Sequence, residues 1–305
     1  MPTIASLSPR QLRRRLAGPG IGLQTGSFVT LLRSPLRHIA DGIALLYADY
    51  PLIDAPPFAD FHVALDQGAG LRRLFGRQVI FRSDGVTPFK PLPQDQAWPM
   101  FEWSMNWCVS SRAHEYLMIH AAVIERNGVA VILPAPPGSG KSTLCAALVA
   151  RGWRLLSDEL TLVRLADGRI APLPRPVSLK NAAIDVIRAW APDAVISRPV
   201  HTATKGIVAH VKAPADSVAR AHETAHAAWI IFPTYAAGAE PTLEAMGKAR
   251  AFMQVAENSF NYGLLARAGF DALARLIDGS ASYRFRYSRL DDAVEVFARL
   301  APAAP

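Results

Sequence analysis

The stretch Ala135-Pro136-Pro137-Gly138-Ser139-Gly140-Lys141-Ser142-Thr143 stands between an apolar run, Val129-Ala130-Val131-Ile132-Leu133, and another, Leu144-Cys145-Ala146-Ala147-Leu148-Val149-Ala150. That order predicts a buried strand, a glycine loop and a helix start, and it commits the chain to an α/β fold. Glycines at 138 and 140 let successive backbone N–H groups turn inward around a polyphosphate, while the helix start adds its dipole. Lys141 is placed to reach the β- and γ-phosphates, and the Ser142 hydroxyl suits Mg²⁺. The strict Walker A pattern has glycine where this chain has Ala135, the smallest substitute. The nucleotide-binding set read from the motif is Pro137, Gly138, Ser139, Gly140, Lys141, Ser142 and Thr143. A chance Gly/Pro-rich loop containing Lys-Ser would have no need of an apolar strand before it and an apolar helix after it.

With 305 residues, half of them apolar, the chain is long enough for one large or two ordinary domains with a sizeable core. No apolar run approaches the ~20 residues of a membrane-spanning helix, and no secretory-type segment follows the N-terminus. Only Cys108 and Cys145 are present, so no disulfide framework is expected and a cytoplasmic location fits. The net charge of +8 is spread thinly. Its one dense cluster, Arg10, Arg13, Arg14 and Arg15, lacks interleaved aromatics and reads as a solvated helix rather than a nucleic-acid arm. Neither a membrane nor a nucleic acid is expected as partner.

Residues 1–27 read as a short helix followed by a loop. From 27 to 91, β-like runs (Gly42-Ile43-Ala44-Leu45-Leu46-Tyr47, Phe61-His62-Val63-Ala64-Leu65, Gln78-Val79-Ile80-Phe81) are separated by Pro, Asp and Gly, a small strand-rich region. Trp98, Phe101, Trp103 and Trp107 predict a helix packed on the core. The domain division expected is 1–112, strand-rich with a linking helix, and 113–305. A strand over 116–125 is joined to the next by Arg126-Asn127-Gly128, and Asn-Gly between apolar runs predicts a type I′ hairpin, so the sheet is mixed rather than purely parallel. Beyond the glycine loop the chain predicts a hairpin over 160–173, a helix over 182–190, a loop over 192–204, a strand over 206–211, a loop over 213–217, a buried strand over 227–232, two helices over 249–277 and a last helix over 291–300. Lys180 lies within reach of a phosphate, although a solvated lysine at a helix start is the plainer reading.

Lengths connect the loop to a second set of residues. A helix of about ten residues carries the chain roughly 15 Å away from the loop. The run Trp153-Arg154-Leu155-Leu156-Ser157 returns it by roughly 16 Å as a strand. Asp158 and Glu159 are thereby expected beside the phosphates, placed for metal ligation and proton abstraction.

Gly138-Ser139-Gly140-Lys141-Ser142, the helix, and then Ala150-Arg151-Gly152-Trp153-Arg154-Leu155-Leu156-Ser157-Asp158-Glu159 resemble the nucleotide core of the HPr kinase/phosphorylase family, and more closely the HPr-kinase-related kinases. The specific likeness covers roughly 116–175. It implies a mixed-sheet P-loop kinase core of the HPr kinase C-terminal-domain type, related to phosphoenolpyruvate carboxykinase, preceded by the small strand-rich region. It also implies an ATP-dependent phosphotransferase using Mg²⁺, with a hydroxyl acceptor, a serine of a small protein or peptide. In that reading Asp158 takes the hydroxyl proton, Ser142 and Glu159 hold Mg²⁺, and Lys141 neutralises the transferred group. His120, at the family's histidine position, pairs with Asp158 or contacts phosphate. The family carries two aspartates where this chain has Asp158-Glu159, and its downstream signature is not clear here, with Lys205-Gly206-Ile207 or Lys212-Ala213-Pro214 as candidates for its place. A small-metabolite kinase and a nucleotide-dependent binding protein without catalysis are the alternatives, and a homo-oligomer is allowed.

Overall fold

The computed structural model of this chain describes residues 1–68, 76–136 and 138–300. Helix α1 (Pro9–Ala17) opens with a capping box, Ser8 with Gln11, and Pro at its start. Its buried residues are Leu12 and Leu16, spaced i, i+4, and its arginines face outward. The first sheet has the order β3 (Leu52–Ile53), β1 (Ile21–Thr25), β2 (Phe28–Arg33), β4 (Phe61–Gln67), β5 (Gln78–Ser83), β6 (Leu92–Pro93), antiparallel except for β2 with β4. Residues 21–25 were expected to be loop. Flanked by glycines, the segment carries a weak strand signal, and it becomes a strand because β2 and β3 pair with it on both sides.

A larger correction concerns residues 42–47, expected as a β-like run. They lie in helix α2 (Arg37–Leu46) and its C-cap, with Ile39, Ala40, Ile43 and Leu46 buried at helical spacing. Glycine inside a helix costs roughly 0.5–1 kcal/mol relative to alanine. Here Gly42 is required, because a Cβ would sit 2.0 Å from a ring carbon of Trp98. Trp98 belongs to helix α3 (Ala97–Arg112), in which Trp98 and Phe101 are buried while Trp103 and Trp107 are half-buried. Each large side chain so buried contributes roughly 1.5–3 kcal/mol. One continuous cluster of buried residues, from Ile4 to Phe297, joins this half of the chain to the other.

The second sheet is mixed: β11 (Ile170–Ala171), β10 (Leu160–Arg164), β7 (Tyr116–Arg126), β8 (Val129–Pro134), β15 (His226–Tyr235), β17 (Ala281–Tyr287), β16 (Thr242–Ala245), with β9 (Arg154–Ser157) also paired to β7. The β7–β8 connection is an antiparallel hairpin with Asn127 at φ 54° and Gly128 at φ 80°, as a type I′ turn demands. Strands β8, β15 and β17 are parallel, and β9, antiparallel to β7, runs the same way as β8. Helix α4 (Lys141–Val149) follows β8 and is buried nearly all round. A smaller sheet, β12 (Val177–Lys180), β14 (Gly206–Val211), β13 (Val200–Thr202), faces the loop end of α4, with α5 (Ala182–Trp190) beside it. Residues 213–217 were expected to be loop, but Ala215–Ala219 form a short helix, α6, whose Ser217 hydroxyl accepts from the Leu155 N–H. Helices α7 (Lys248–Glu257), α8 (Tyr262–Asp278) and α9 (Leu290–Leu300) complete the chain.

Candidate functional site

Strands β8, β9 and β15 end at one edge of the mixed sheet, the edge at which α/β folds place ligands. There the chain after β8 turns sharply. Gly138 and Gly140 have φ of 87° and 90°, values that side-chain-bearing residues rarely adopt. Gly140 is the N-cap of α4 and has no side chain with which to satisfy the first-turn N–H groups. Ala135 is buried, which explains why its position takes only a very small residue. Pro137 lies outside the described residues.

A cleft of about 170 Å³ opens over this turn. Gly138, Ser139, Gly140, Lys141, Ser142, Thr143, Glu159 and His120 all line it, whereas Asp158 does not. Lys141 is only 7% exposed, and its Nζ has no hydrogen-bond partner among the described residues. The Ser139 hydroxyl is likewise buried and unpartnered. Buried polar groups in proteins are nearly always satisfied, and an unpaired buried ammonium is costly. A loop with two such groups and open helix N–H groups has donors free to meet an anion.

Asp158 is 4% exposed. Its Oδ2 accepts from the Ser178 backbone N–H at 3.0 Å, a contact made by β12, while Oδ1 has no partner among the described residues. Burial first, and the charge of Glu159 second, push its carboxyl up to about 6, against the pull of Lys141 and the Ser178 N–H. Glu159 goes the other way: although burial opposes it, the His120 hydrogen bond and the charge of Lys141 hold it down to about 2. Two adjacent carboxyls are thus driven apart, one able to exchange a proton near neutrality and the other a fixed anion.

His120 was expected against Asp158 or a phosphate. It instead meets Glu159, Nε2 to Oε2 at 3.1 Å, because its strand partner in β10 is Leu160 and Glu159 immediately precedes that residue. Lys180 is a second departure. It ends β12 and lines the cleft instead of lying in solvent. The next residue, Asn181, has φ 52° and ψ −127°, a conformation that glycine tolerates far better. Its Oδ1 accepts from Ile207 N–H at 3.0 Å and holds that turn. Lys205 stacks on Trp103, Nζ to ring centroid 4.1 Å, while Lys212 pairs with Asp49 at 2.8 Å and is directed elsewhere. Ser178 carried no sequence signal, since its role depends on β12 docking against the end of β9.

Asp158 and Glu159 also line a recess with Glu102, Asn106, Arg175, Ser178 and His210. Its open space is about 20 Å³, room for a single water. Its wall includes a satisfied ion pair, Arg175 to Glu102 at 2.6 Å.

A family model described as SynChlorMet cassette protein ScmC matches residues 91–231, a stretch that includes the glycine loop, His120, Asp158, Glu159 and Lys180. That description differs from the HPr kinase resemblance. Among solved structures, the chain matches the Hpr(Ser) kinase/phosphatase from Coxiella burnetii with 13% identity and a TM-score of 0.28, over 60% of this chain and 96% of that one. At that score and identity the likeness fixes neither fold nor activity. No curated protein matches the chain.

The chemistry the site permits follows from its own groups. It offers a cradle for phosphates, a buried cation, a hydroxyl with a permanently ionised carboxylate nearby, and a carboxyl that titrates near neutrality. Among the described residues no three or more His, Cys, Asp or Glu side chains gather as a metal site. Mg²⁺ needs only one or two carboxylates where phosphate oxygens supply the rest. No helix among the described residues is long and apolar enough to cross a membrane.

Proposed function

We propose that this chain is a Mg-ATP-dependent kinase that transfers the γ-phosphoryl group to a hydroxyl, that of a serine in a small protein or peptide. The observation that carries the reading is the pairing of an unpartnered buried lysine on a glycine loop with a buried carboxyl raised to about 6 at the same sheet edge. Ser142 and Glu159 would hold Mg²⁺, which would offset the charge of the phosphates. Asp158 takes the acceptor hydroxyl proton as the oxygen bonds to phosphorus and ADP departs. Lys141 stabilises the charge on the transferred group. His120 keeps Glu159 ionised and oriented rather than touching the acceptor.

The size of the space beside Asp158 supports a macromolecular acceptor over a small metabolite. The recess there has room for one water, too little to enclose a metabolite, and the adjoining cleft, lined by Lys180, is about 170 Å³. The test is transfer from γ-labelled ATP with Mg²⁺ in lysate of the source cells, wild type against Asp158→Ala. Label in a protein or peptide band with wild type alone supports the reading. Label only in small molecules would move the acceptor class to metabolites, and tight ATP binding without any transfer would make the chain a nucleotide-dependent binding protein.

A further inference from the structure

Two exposed aromatic side chains stand near the site, Phe260 beside His120 and Tyr235 bonded to the glycine loop. Phe260 is 53% exposed and lies against His120, ring centroids 5.7 Å apart, on the Glu159 side. Tyr235 is also 53% exposed, and it ends β15 on the far side of β8. The backbone fixes Tyr235 to the loop itself: its N–H donates to the Ser139 carbonyl at 3.0 Å. The Tyr287 hydroxyl donates to the Gly140 carbonyl at 3.3 Å, and the two tyrosine rings meet edge to face, with centroids 6.0 Å apart. A Cβ on Gly140 would come within 3.1 Å of Tyr235 Cβ and 2.8 Å of the Tyr287 hydroxyl. The absence of a side chain at 140 therefore serves close approach of this aromatic pair as well as the positive φ.

A nucleoside triphosphate is a linear molecule with chemistry at one end and a base at the other. On the reading above, its γ-end lies toward Asp158 and Ser142, on the β7 and β9 side of β8. Phosphates crossing the loop in that direction would leave the nucleoside on the β15 side, where Tyr235 stands outside the lining of the cleft. We infer that Tyr235 is the nucleobase platform of this site, stacking a purine on its exposed ring while Tyr287 and the Ser139 carbonyl hold it against the phosphate loop. This assignment rests on the nucleotide-binding reading and adds to it where the base lies and how it is held. Stacking engages the face of the ring and does not read hydrogen-bonding edges, so ATP and GTP bind Tyr235 comparably.

Calorimetric titration of the full chain with ATP, GTP and inorganic tripolyphosphate, each with Mg²⁺, tests it. Wild type binds both nucleotides more tightly than tripolyphosphate. Tyr235→Ala weakens ATP and GTP about ten-fold, within the range of base–aromatic stacking, and leaves tripolyphosphate unchanged. Tyr235→Phe keeps wild-type affinities, and Phe260→Ala keeps the ATP-to-tripolyphosphate ratio. A Tyr235→Ala chain that still prefers ATP over tripolyphosphate by the wild-type margin overturns the platform but leaves the phosphate site standing. Equal loss for ATP and tripolyphosphate also overturns it, showing that Tyr235 only shapes the loop. A wild-type chain that binds neither overturns the nucleotide-binding reading and the platform with it.

Discussion

Two groups of buried charges lie within a few residues of each other, and they are satisfied to different degrees. In the first, Arg175 donates to Glu102 Oε2 at 2.6 Å, to the Glu102 carbonyl at 2.9 Å and to Asn106 at 2.6 Å, while the Tyr47 hydroxyl donates to Glu102 Oε1 at 2.9 Å. Every charge there has a partner, and the cluster ties α2 and α3 to the strand-loop region before β12. In the second, Lys141 Nζ and Asp158 Oδ1 are equally buried and make no hydrogen bond among the described residues. The same chain that completes one network leaves the other open. A buried charge held without a partner costs stability, and such costs persist where a ligand completes the site. The Arg175 cluster is architecture, whereas Lys141 and Asp158 keep buried polar atoms open, as the proposed kinase site would require.

Mutations separate the two clusters. Lys141→Ala should lower phosphoryl transfer by about 10³-fold, the scale of losing one transition-state charge partner, with a thermal midpoint no lower than wild type. A folded variant with near-full turnover would reduce the loop to architecture as well. Arg175→Ala should behave oppositely, destabilising the fold by about 3–5 kcal/mol because it leaves Glu102 buried and unpaired. Urea unfolding measures that directly, and an unchanged midpoint would erase the contrast.

The pH dependence of the unliganded protein sharpens it further. The Asp158 carboxyl is raised from 3.8 to about 6, so the fold favours its protonated form. Its contribution to stability is present below about pH 4 and is lost as pH rises through about 6, at most about 3 kcal/mol at 1.36 kcal/mol per unit. The Glu159 carboxyl is lowered to about 2, so its contribution holds above 4.5 and is lost only as pH falls toward 2. Asp158→Asn should therefore be more stable than wild type at pH 7, with little difference at pH 4, and inactive at both. Equal unfolding midpoints at pH 7 would show that the open charge costs nothing. In wild type, transfer should rise with pH through the titration of Asp158.

Smaller effects probe the supports. His120→Ala frees Glu159 and should weaken Mg²⁺ binding in the nucleotide complex by about 10-fold, the usual scale for loss of a group orienting a metal ligand. Unchanged Mg²⁺ affinity would leave His120 a packing residue. Asn181→Ala, at φ 52°, should cost about 1–2 kcal/mol, since it keeps the unfavourable backbone and loses the bond to Ile207. Asn181→Gly should cost less. A ranking in the reverse order would mean that the side-chain bond outweighs the backbone strain.

Much of the site was legible in the sequence because its parts are local. The glycine loop depends on residues within one turn, and the arrival of Asp158 beside it follows from helix rise and strand rise over a short span. The Asn127-Gly128 turn dictated an antiparallel neighbour for β8 for the same reason. Residues 42–47 misled because their apolar run fits a strand as well as a helix, and only Trp98 packing onto Gly42 explains why a glycine sits in that helix. Pairing across the sheet was beyond the sequence too: His120 meets Glu159 and not Asp158 because of the register between β7 and β10. Ser178 and Lys180 reach the cleft because β12 docks there, from a sheet distant in the chain. Local geometry, which is short-ranged and cheap to form, was written in the residue order. The partners of each charge, which set its protonation and its work, were decided by non-local packing that no stretch of sequence contains by itself.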